Sequence, residues 1–209
     1  MAFITTEAEL IELYNKLYAN IENYGRWGER HTTIVSWMVP NIPPGASVLD
    51  AGCGRGDLVK KLIEIGYNAT GTEVAECLFE EGGELATMPA LQMSYSELDA
   101  MPKGCYEVVI SCDVLEHLLD IDMVEQAVRS LVDRSKRYVL FSVGYHRAGF
   151  ESARCSKLGI LQSLPGHNLH TFQRPPEWWK ELFDHYLTSL YSYLDGVSYF
   201  FFGEKKAAD

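Results

Sequence analysis

The chain has 209 residues, 47% of them hydrophobic, so it can bury one sizeable core and we expect a single domain. Its formal charge of −11 disfavours a protein that holds long nucleic acid, because an acidic surface repels phosphates. No apolar run reaches the length of about 18 residues that a transmembrane helix needs, and the N-terminus lacks the pattern of a signal peptide. Five cysteines without a Cys-x-x-Cys pair indicate reduced thiols. These features predict a cytoplasmic protein that does not associate with membranes.

The N-terminal segment is predicted to be helical. Apolar residues recur every three or four positions over 6–24, and Thr6 with Glu9 has the pattern of a capping box. A second helix is expected over about 29–39, ending before Pro40 because proline disrupts helix interiors.

Strands and helices alternate in the middle of the chain, which predicts βαβ units and a doubly wound parallel sheet of the α/β class. The basic run 134–137 is interpreted as a solvated turn before the last of these strands. The strands are predicted over 47–50, 68–73, 90–93, 105–112 and 137–143, with helices over 58–65, 75–81 and 120–132.

The C-terminal third has a different pattern. Residues 144–174 contain several glycines and three histidines with weak periodicity, and loops of this length are often functional. A helix is predicted from Pro175, since proline suits the first turn of a helix. Residues 188–193 and 197–202, on either side of an Asp-Gly pair, predict a β-hairpin.

A glycine-rich turn follows the first predicted strand. Gly52, Gly54 and Gly56 permit left-handed backbone conformations and close approach of a ligand, and the N–H groups of the next helix would face that ligand. The dinucleotide pattern Gly-x-Gly-x-x-Gly would require glycine where Asp57 stands, and the lysine of a P-loop is missing. The turn therefore indicates a nucleotide-type ligand that is neutral or cationic near these glycines.

Acidic residues end three of the predicted strands: Asp50, Glu73 and Asp113. Glu73 follows the turn by about 20 residues, the separation at which a carboxylate binds ribose hydroxyls in related sheets. Acids at three strand ends suit a ligand that has a ribose and a cationic amino-acid tail.

These motifs resemble those of the class I S-adenosylmethionine-dependent methyltransferases. The matching residues are Val48-Leu49-Asp50-Ala51-Gly52-Cys53-Gly54-Arg55-Gly56, then Glu73, then Asp113-Val114-Leu115-Glu116-His117. The last motif is similar to that of the branch with quinone-pathway O-methyltransferases and many sugar and natural-product methyltransferases. The resemblance implies a seven-stranded, mostly parallel, Rossmann-like methyltransferase sheet with a C-terminal antiparallel hairpin and an N-terminal helical lid.

The resemblance also implies how the single domain, residues 1–209, is divided. Residues 1–45 would form the helical lid and connector, and residues 46–143 the cofactor-binding core. Residues 144–180 would be a substrate-side insertion, and residues 181–209 the C-terminal hairpin.

The implied cofactor is S-adenosylmethionine, with S-adenosylhomocysteine as its product. The glycine turn would approach the methionine part, the acid after the second strand would hold the ribose, and the end of the fourth strand would lie beneath the sulfonium. Ser94 stands where the family often has an acid for the adenine amine, so Gln92 or a backbone carbonyl is an alternative. The cofactor-binding residues are predicted to be Asp50, Gly52, Cys53, Gly54, Glu73, Met93, Ser94, Cys112 and Asp113.

Methyl transfer needs alignment, and a base where the nucleophile must lose a proton. His117, His170 and His146 are the candidate catalytic bases, and His170 is preferred for its mixed polar and aromatic neighbours. A capping or packing role for His117 stays open.

Aromatic residues and histidines of the lid and the insertion are candidates for substrate binding. An alternative is that the tyrosines only pack the first helix on the sheet. Trp178 and Trp179 are adjacent, so one is expected in the core and the other at the substrate. The substrate-binding candidates are Tyr14, Tyr24, Trp27, His31, His167 and Trp178.

A metal site is a further alternative. Asp113, Glu116, His117 and His170 together offer oxygen and nitrogen ligands, similar to the Glu-x-x-Glu-His of some quinone-pathway and small-RNA 2′-O-methyltransferases. No metal is expected, because the first acid is aspartate and that position serves the cofactor in the wider family.

The sequence predicts S-adenosylmethionine-dependent methyl transfer to a small molecule, at an oxygen of a sugar or another hydroxylated metabolite, by a monomer or homodimer. Nucleic acid is not an expected partner. One alternative is a metal-assisted RNA 2′-O- or quinone O-methyltransferase. The other is an inactive cofactor-binding module with an assembly or regulatory role.

Overall fold

A mixed β-sheet forms the centre of the protein, shown by a computed structural model that describes residues 6–144, 170, 172, 174–194 and 198–207. The strands are β1 (Ser47–Ala51), β2 (Asn68–Glu73), β3 (Ala90–Gln92), β4 (Tyr106–Cys112), β5 (Ser135–Gly144), β6 (Leu187–Leu194) and β7 (Ser198–Lys205). Their order across the sheet is β3-β2-β1-β4-β5-β7-β6, with β1 to β5 parallel and β7 antiparallel to both of its neighbours. The predicted fold class is confirmed.

Helices cover both faces of the sheet. They are α1 (Glu7–Asn20), α2 (Glu29–Asn41), α3 (Asp57–Glu64), α4 (Ile121–Arg134) and α5 (Pro176–Asp184). Side chains of β1 alternate between the faces, as the two-residue period of a strand requires. Val48 belongs to the cluster with Met38 of α2 and Leu62 of α3, and Leu49 to the cluster with Leu131 of α4.

Most predicted elements are confirmed to within a few residues, including the capping box at Thr6. The helix predicted over 75–81 is only a 3₁₀ turn, Glu76–Leu78, because the carbonyl of Leu78 accepts from Leu85 N (2.9 Å) instead of continuing a helix. The first helix ends at Asn20 rather than at residue 24.

The prediction that α2 ends before Pro40 is wrong. The helix includes Pro40 in its last turn, where hydrogen bonds close the helix end. Ile42 N donates to Met38 O (2.8 Å), and Asn41 Nδ2 donates to Trp37 O (2.6 Å).

The interpretation of residues 134–137 as a solvated turn is also wrong at its start. Helix α4 ends at Arg134 and β5 begins at Ser135, and both side chains are buried. Arg134 Nη1 donates to the carbonyl of Leu98, and the same atom lies 3.6 Å from Asp99 Oδ1. The arginine therefore connects α4 to the 3₁₀ segment Tyr95–Ala100 instead of forming a basic surface patch.

No helix among the described residues is both long and apolar enough to cross a membrane. The four cysteines in the same ranges, Cys53, Cys77, Cys105 and Cys112, form no disulfide.

The parallel strands all end at one edge of the sheet, and close packing beneath that edge fixes the glycine-rich turn. We predict that Gly71→Ala destabilises the protein by about 1–3 kcal/mol, the usual cost of overpacking a core. A Cβ atom at Gly71 would lie 2.5 Å from Cys53 Sγ. Chemical denaturation would measure the free energy of unfolding.

The control is the double variant Gly71→Ala/Cys53→Ala, which removes the sulfur atom that is crowded. The stability losses from substitutions at residues in contact do not add. The double variant should therefore lose less stability than the two single variants lose together. Additive losses would contradict this explanation.

Candidate active site

A cavity of about 390 Å³ opens at the carboxyl edge of the parallel strands. Strand ends β1, β2 and β4 form its floor, and α1 with the segment between α1 and α2 covers it. Clefts of this size at this edge are typical ligand sites in α/β sheets. Eight of the nine predicted cofactor-binding residues line it: Asp50, Gly52, Cys53, Gly54, Glu73, Met93, Cys112 and Asp113.

The glycine-rich turn has the left-handed backbone that its sequence predicts. Gly52, Gly54 and Gly56 have φ values of 78°, 55° and 78°, which side chains rarely adopt. A Cβ atom at Gly52 would also lie 2.6 Å from Val114 Cγ2. Glycine is therefore required for both conformation and space.

Glu73 stabilises this turn from the end of β2. Its Oε2 accepts a hydrogen bond from Gly54 N (2.9 Å), and its Oε1 accepts from Val74 N (2.8 Å) and Ala75 N (3.2 Å). Burial raises the pKa of the Glu73 carboxyl, and these backbone hydrogen bonds oppose the rise. The carboxylate lies at the cavity, at the position predicted for ribose binding.

Asp50 is a buried acid on the floor of the cavity, 2% exposed. Burial, and then the charge of Glu73, raise the pKa of Asp50 to about 7, and Arg30 opposes the rise. A cationic group placed beside Asp50 would favour its ionised form, so the position suits an ammonium group.

Asp113 adopts a left-handed conformation (φ 54°) at the end of β4. Its carboxylate accepts hydrogen bonds from Ser142 Oγ (2.6 Å) and Ser198 Oγ (3.2 Å), and its Oδ2 lies 3.6 Å from Arg30 Nε. Asp113 therefore lines the cavity while it connects β4 to β5, β7 and α2.

Arg30 is a site residue that the sequence analysis did not identify. It lines the cavity, and its charge acts on Asp50 and Cys112. An isolated arginine at a helix start carries no motif, and only the packing of α2 brings it to the acids.

Ser94 is the one predicted cofactor residue that does not line this cavity. It begins the 3₁₀ segment Tyr95–Ala100, with its Oγ 2.8 Å from Ser96 Oγ. Its backbone N donates to Glu97 Oε2 (2.8 Å). The neighbouring Met93 faces the cavity instead.

Only some of the predicted substrate-binding residues line the cavity. Tyr14, Tyr24 and His31 line the cavity. Trp27 is 41% exposed and does not line the cavity, and its ring is tilted against that of His31, with centroids 5.2 Å apart. Trp178 does not line it either, and its ring lies 5.3 Å from that of Phe172.

His31 has a structural role at the start of α2. Its Nδ1 accepts a hydrogen bond from Gly28 N (3.0 Å), and burial together with Arg30 lowers the pKa of His31 to about 3. The imidazole is therefore neutral at physiological pH.

Two of the three proposed catalytic histidines come together at the cavity. The rings of His117 and His170 are perpendicular, with centroids 4.6 Å apart, and Tyr14 lies against His117 at 5.9 Å. His146, and His167 from the substrate-binding set, lie outside the described residues.

Arg55, inside the glycine-rich turn, holds the lid in place. Its Nη2 donates to Tyr18 O (2.7 Å) and Ile21 O (3.0 Å), and its Nε donates to Tyr24 O (2.9 Å). The last carbonyls of α1 have no partner within the helix, so Arg55 caps the helix from the turn. Glu84 Oε1 accepts from Arg55 Nη1 (2.5 Å).

Arg26 and Asp57 add to this contact between lid and turn. Glu84 Oε1 also accepts from Arg26 Nη2 (2.7 Å), and Asp57 Oδ2 accepts from Trp27 N (2.8 Å). Asp57, which the sequence analysis used only to exclude a pyrophosphate, therefore holds the segment that covers the cavity.

The profile of a methyltransferase domain family matches residues 24–192. A ubiquinone biosynthesis O-methyltransferase from Acinetobacter baylyi is 26% identical over 141 residues, 64% of this chain and 59% of that protein. One from Xanthomonas axonopodis pv. citri is 28% identical over 142 residues, with 65% and 59% covered. The chain thus spans less than two thirds of the length of these relatives.

Two solved structures are similar in fold. Magnesium protoporphyrin IX methyltransferase from Synechocystis PCC 6803, with bound S-adenosylmethionine, has a TM-score of 0.69 at 15% identity, covering 99% of this chain and 100% of that chain. An N-methyltransferase from Bradyrhizobium japonicum WM9, with S-adenosylhomocysteine, has a TM-score of 0.65 at 15% identity, covering 93% and 99%.

The chain belongs to the methyltransferase domain family, and its fold is that of the class I S-adenosylmethionine-dependent methyltransferases. The family resemblance predicted from the motifs is confirmed.

We predict that Arg55→Ala loosens the lid and costs about 1–3 kcal/mol, since it leaves buried carbonyls without their charged donor. Limited proteolysis should cleave near residues 20–27 faster, and thermal unfolding should begin at a lower temperature. Arg129→Ala, at an exposed position of α4, is the matched control and should change neither result. If the Arg55→Ala variant is cleaved near residues 20–27 no faster than the unaltered protein, Arg55 does not have this role.

Proposed function

We propose that this cavity binds S-adenosylmethionine and that the protein transfers its methyl group to an oxygen of a hydroxylated small molecule. The observation that carries the proposal is the pair of buried acids, Asp50 and Glu73, on either side of a left-handed glycine turn at one cavity. Asp50 suits the ammonium group of this ligand, and Glu73 suits its ribose hydroxyls.

The residues present fit the cofactor. The Asp50 carboxylate suits the ammonium group of the amino-acid tail, and Arg30 offers a cation for its carboxylate. A carboxylate has about four acceptor positions, and backbone N–H groups occupy three of those of Glu73. The carboxylate can therefore also accept a hydrogen bond from a ribose hydroxyl. The left-handed glycines leave room beside the tail, and Met93 offers an apolar contact for adenine.

When bound, S-adenosylmethionine supplies a methyl group on a positively charged sulfur. The acceptor oxygen gives the electron pair of the new C–O bond, the C–S bond breaks, and neutral S-adenosylhomocysteine leaves. The chain must hold the acceptor in line and accept the hydroxyl proton. His117 and His170 line this cavity, and we assign that proton to a ring nitrogen of one of them.

An oxygen acceptor is supported by the relatives, which are named O-methyltransferases. The net charge of −11 disfavours a polyanionic acceptor such as RNA. A small hydroxylated metabolite is consistent with both observations.

Calorimetric titration with S-adenosylmethionine tests the cofactor. We expect 1:1 binding whose affinity rises with pH through about 7, because Asp50 is neutral below its raised pKa and becomes a carboxylate above it. Asp50→Asn should bind roughly 10- to 100-fold more weakly at pH 8 and lose the pH dependence, as one charge-assisted hydrogen bond predicts. An absence of binding would overturn the proposal.

Release of S-adenosylhomocysteine with a panel of hydroxylated acceptors tests the reaction. Turnover with at least one acceptor is expected. If the acceptor proton goes to a histidine, His170→Ala should lower kcat by about 10²–10⁴-fold. Binding of the cofactor without turnover on any acceptor would favour the inactive cofactor-binding module.

A further inference from the structure

We propose that Tyr95 is a positioning residue for the cofactor, because its hydroxyl fixes the peptide group between Ala51 and Gly52, with which the glycine-rich turn begins. The hydrogen bonds of this hydroxyl are present in the structure, and only their consequence for the cofactor rests on the proposed function. Like Arg30, Tyr95 was not identified from the sequence.

The strands β1 and β4 separate just before the turn. Their ladder ends at the pair Asp50 and Ile110, whereas β1 stays paired with β2 as far as Ala51 and Thr72. The order of the strands reverses between β1 and β4, since β2 and β3 lie on one side and β5 on the other. Ligands of α/β sheets bind at such switch points, so the gap between the two strand ends borders the crevice of the site.

The hydroxyl of Tyr95 bridges this gap. It donates to Ala51 O (2.9 Å), and it lies 2.9 Å from Ser111 Oγ of β4. A tyrosine hydroxyl has one proton, which here goes to the carbonyl, so Ser111 is the donor in the second hydrogen bond. A chain of two hydrogen bonds therefore runs from β4 through the tyrosine to the end of β1.

The peptide group between Ala51 and Gly52 is held at both of its polar atoms. Its carbonyl accepts from Tyr95, and its N–H donates to Thr72 O of β2 (2.8 Å). Gly52, with its φ of 78°, follows this peptide group, so the orientation of the peptide plane determines where the left-handed turn begins. The Tyr95 hydroxyl also lies directly against the turn, 3.3 Å from the position of a Cβ atom at Gly52.

The environment of Tyr95 keeps its hydroxyl a donor. Burial raises the pKa of Tyr95, the hydrogen bond with Ser111 opposes the rise, and the charges of Glu73 and Asp50 add to it. The hydroxyl therefore stays protonated at physiological pH. The side chain lines the same cavity as the two acids, so the hydroxyl acts at the site itself.

Loss of the hydroxyl should affect one part of the cofactor more than the rest. The peptide group would be free to rotate, and only a fraction of the molecules would present the turn in the conformation that admits the ligand. The apparent dissociation constant rises in inverse proportion to that fraction. Under the proposed function the amino-acid tail lies beside the glycines, whereas the ribose lies at Glu73 and the adenine at Met93. Binding of the tail should therefore weaken while binding of the nucleoside is unchanged.

Calorimetric titration of Tyr95→Phe with two ligands tests this role. S-adenosylhomocysteine has the amino-acid tail, and 5′-methylthioadenosine has the nucleoside and the sulfur without that tail. We expect the affinity for S-adenosylhomocysteine to fall about 10-fold, as the loss of one hydrogen bond predicts. The affinity for 5′-methylthioadenosine should stay the same, because phenylalanine keeps the ring that lines the cavity.

Tyr67→Phe is the matched control. The Tyr67 hydroxyl donates to Ile42 O (2.9 Å), so this variant also removes a hydrogen bond from a tyrosine to a backbone carbonyl. Tyr67 precedes β2, at the edge of the sheet opposite the cavity, and it does not line the cavity. The control should keep both affinities, and thermal unfolding checks that both variants are folded.

Amide hydrogen exchange of the ligand-free protein tests the peptide group without any cofactor. In Tyr95→Phe the N–H of Gly52 should exchange faster than in the unaltered protein, because its peptide group has lost one of two partners. In Tyr67→Phe the same N–H should keep its rate. Equal rates in the unaltered protein and in Tyr95→Phe would overturn the role of the hydroxyl.

Two results of the titrations would also overturn the positioning role: an unchanged affinity of Tyr95→Phe for S-adenosylhomocysteine, or equal losses for both ligands, which a general loosening of the cavity produces. If the unaltered protein binds neither ligand while the exchange result holds, the proposed function is refuted and the fixed peptide group is not. If Tyr95→Phe fails to fold, Ser111→Ala takes its place, since it removes the donor to the hydroxyl, and the same difference between the two ligands is expected.

Discussion

The hydrogen bond from Gly54 N to Glu73 is the contact on which the site depends. It joins the turn after β1 to the end of β2, so that the floor of the cavity is one connected unit. Gly52 N and Cys53 N, which donate to Thr72 O at 2.8 and 2.9 Å, strengthen the same connection. The turn can hold three left-handed glycines because the neighbouring strand determines its conformation.

This arrangement has a cost in stability. Two buried carboxyls lie at one cavity, and the charge of Glu73 raises the free energy of ionising Asp50. Burial raises the pKa of both, that of Asp50 to about 7. A site arranged only for stability would not place Asp50 there, and the presence of a buried acid at a cavity is therefore evidence for a cationic ligand.

The sequence predicts the parts of the site that depend on local patterns. The glycine turn, Asp50 and Glu73 are recognisable because strand ends and turn glycines have a fixed spacing. The positions of Arg30 and Arg55 depend on tertiary packing, which no local pattern records. The predictions for Pro40 and for the buried Arg134 were wrong, since in both cases tertiary or capping hydrogen bonds outweigh residue propensity.

Arg55 joins the glycine-rich turn to the helix that covers the cavity. It belongs to the turn that lines the cavity, yet its guanidinium caps α1, the helix that covers the cavity. A change in the backbone of the turn must therefore move the donors on which the end of α1 depends. Tyr18 reinforces the connection, since its hydroxyl lies 3.1 Å from where a Cβ atom of Gly54 would be. Under the proposed function, cofactor binding at the turn is therefore coupled to the position of α1 through the contact of Arg55 with one helix end, and each should favour the other.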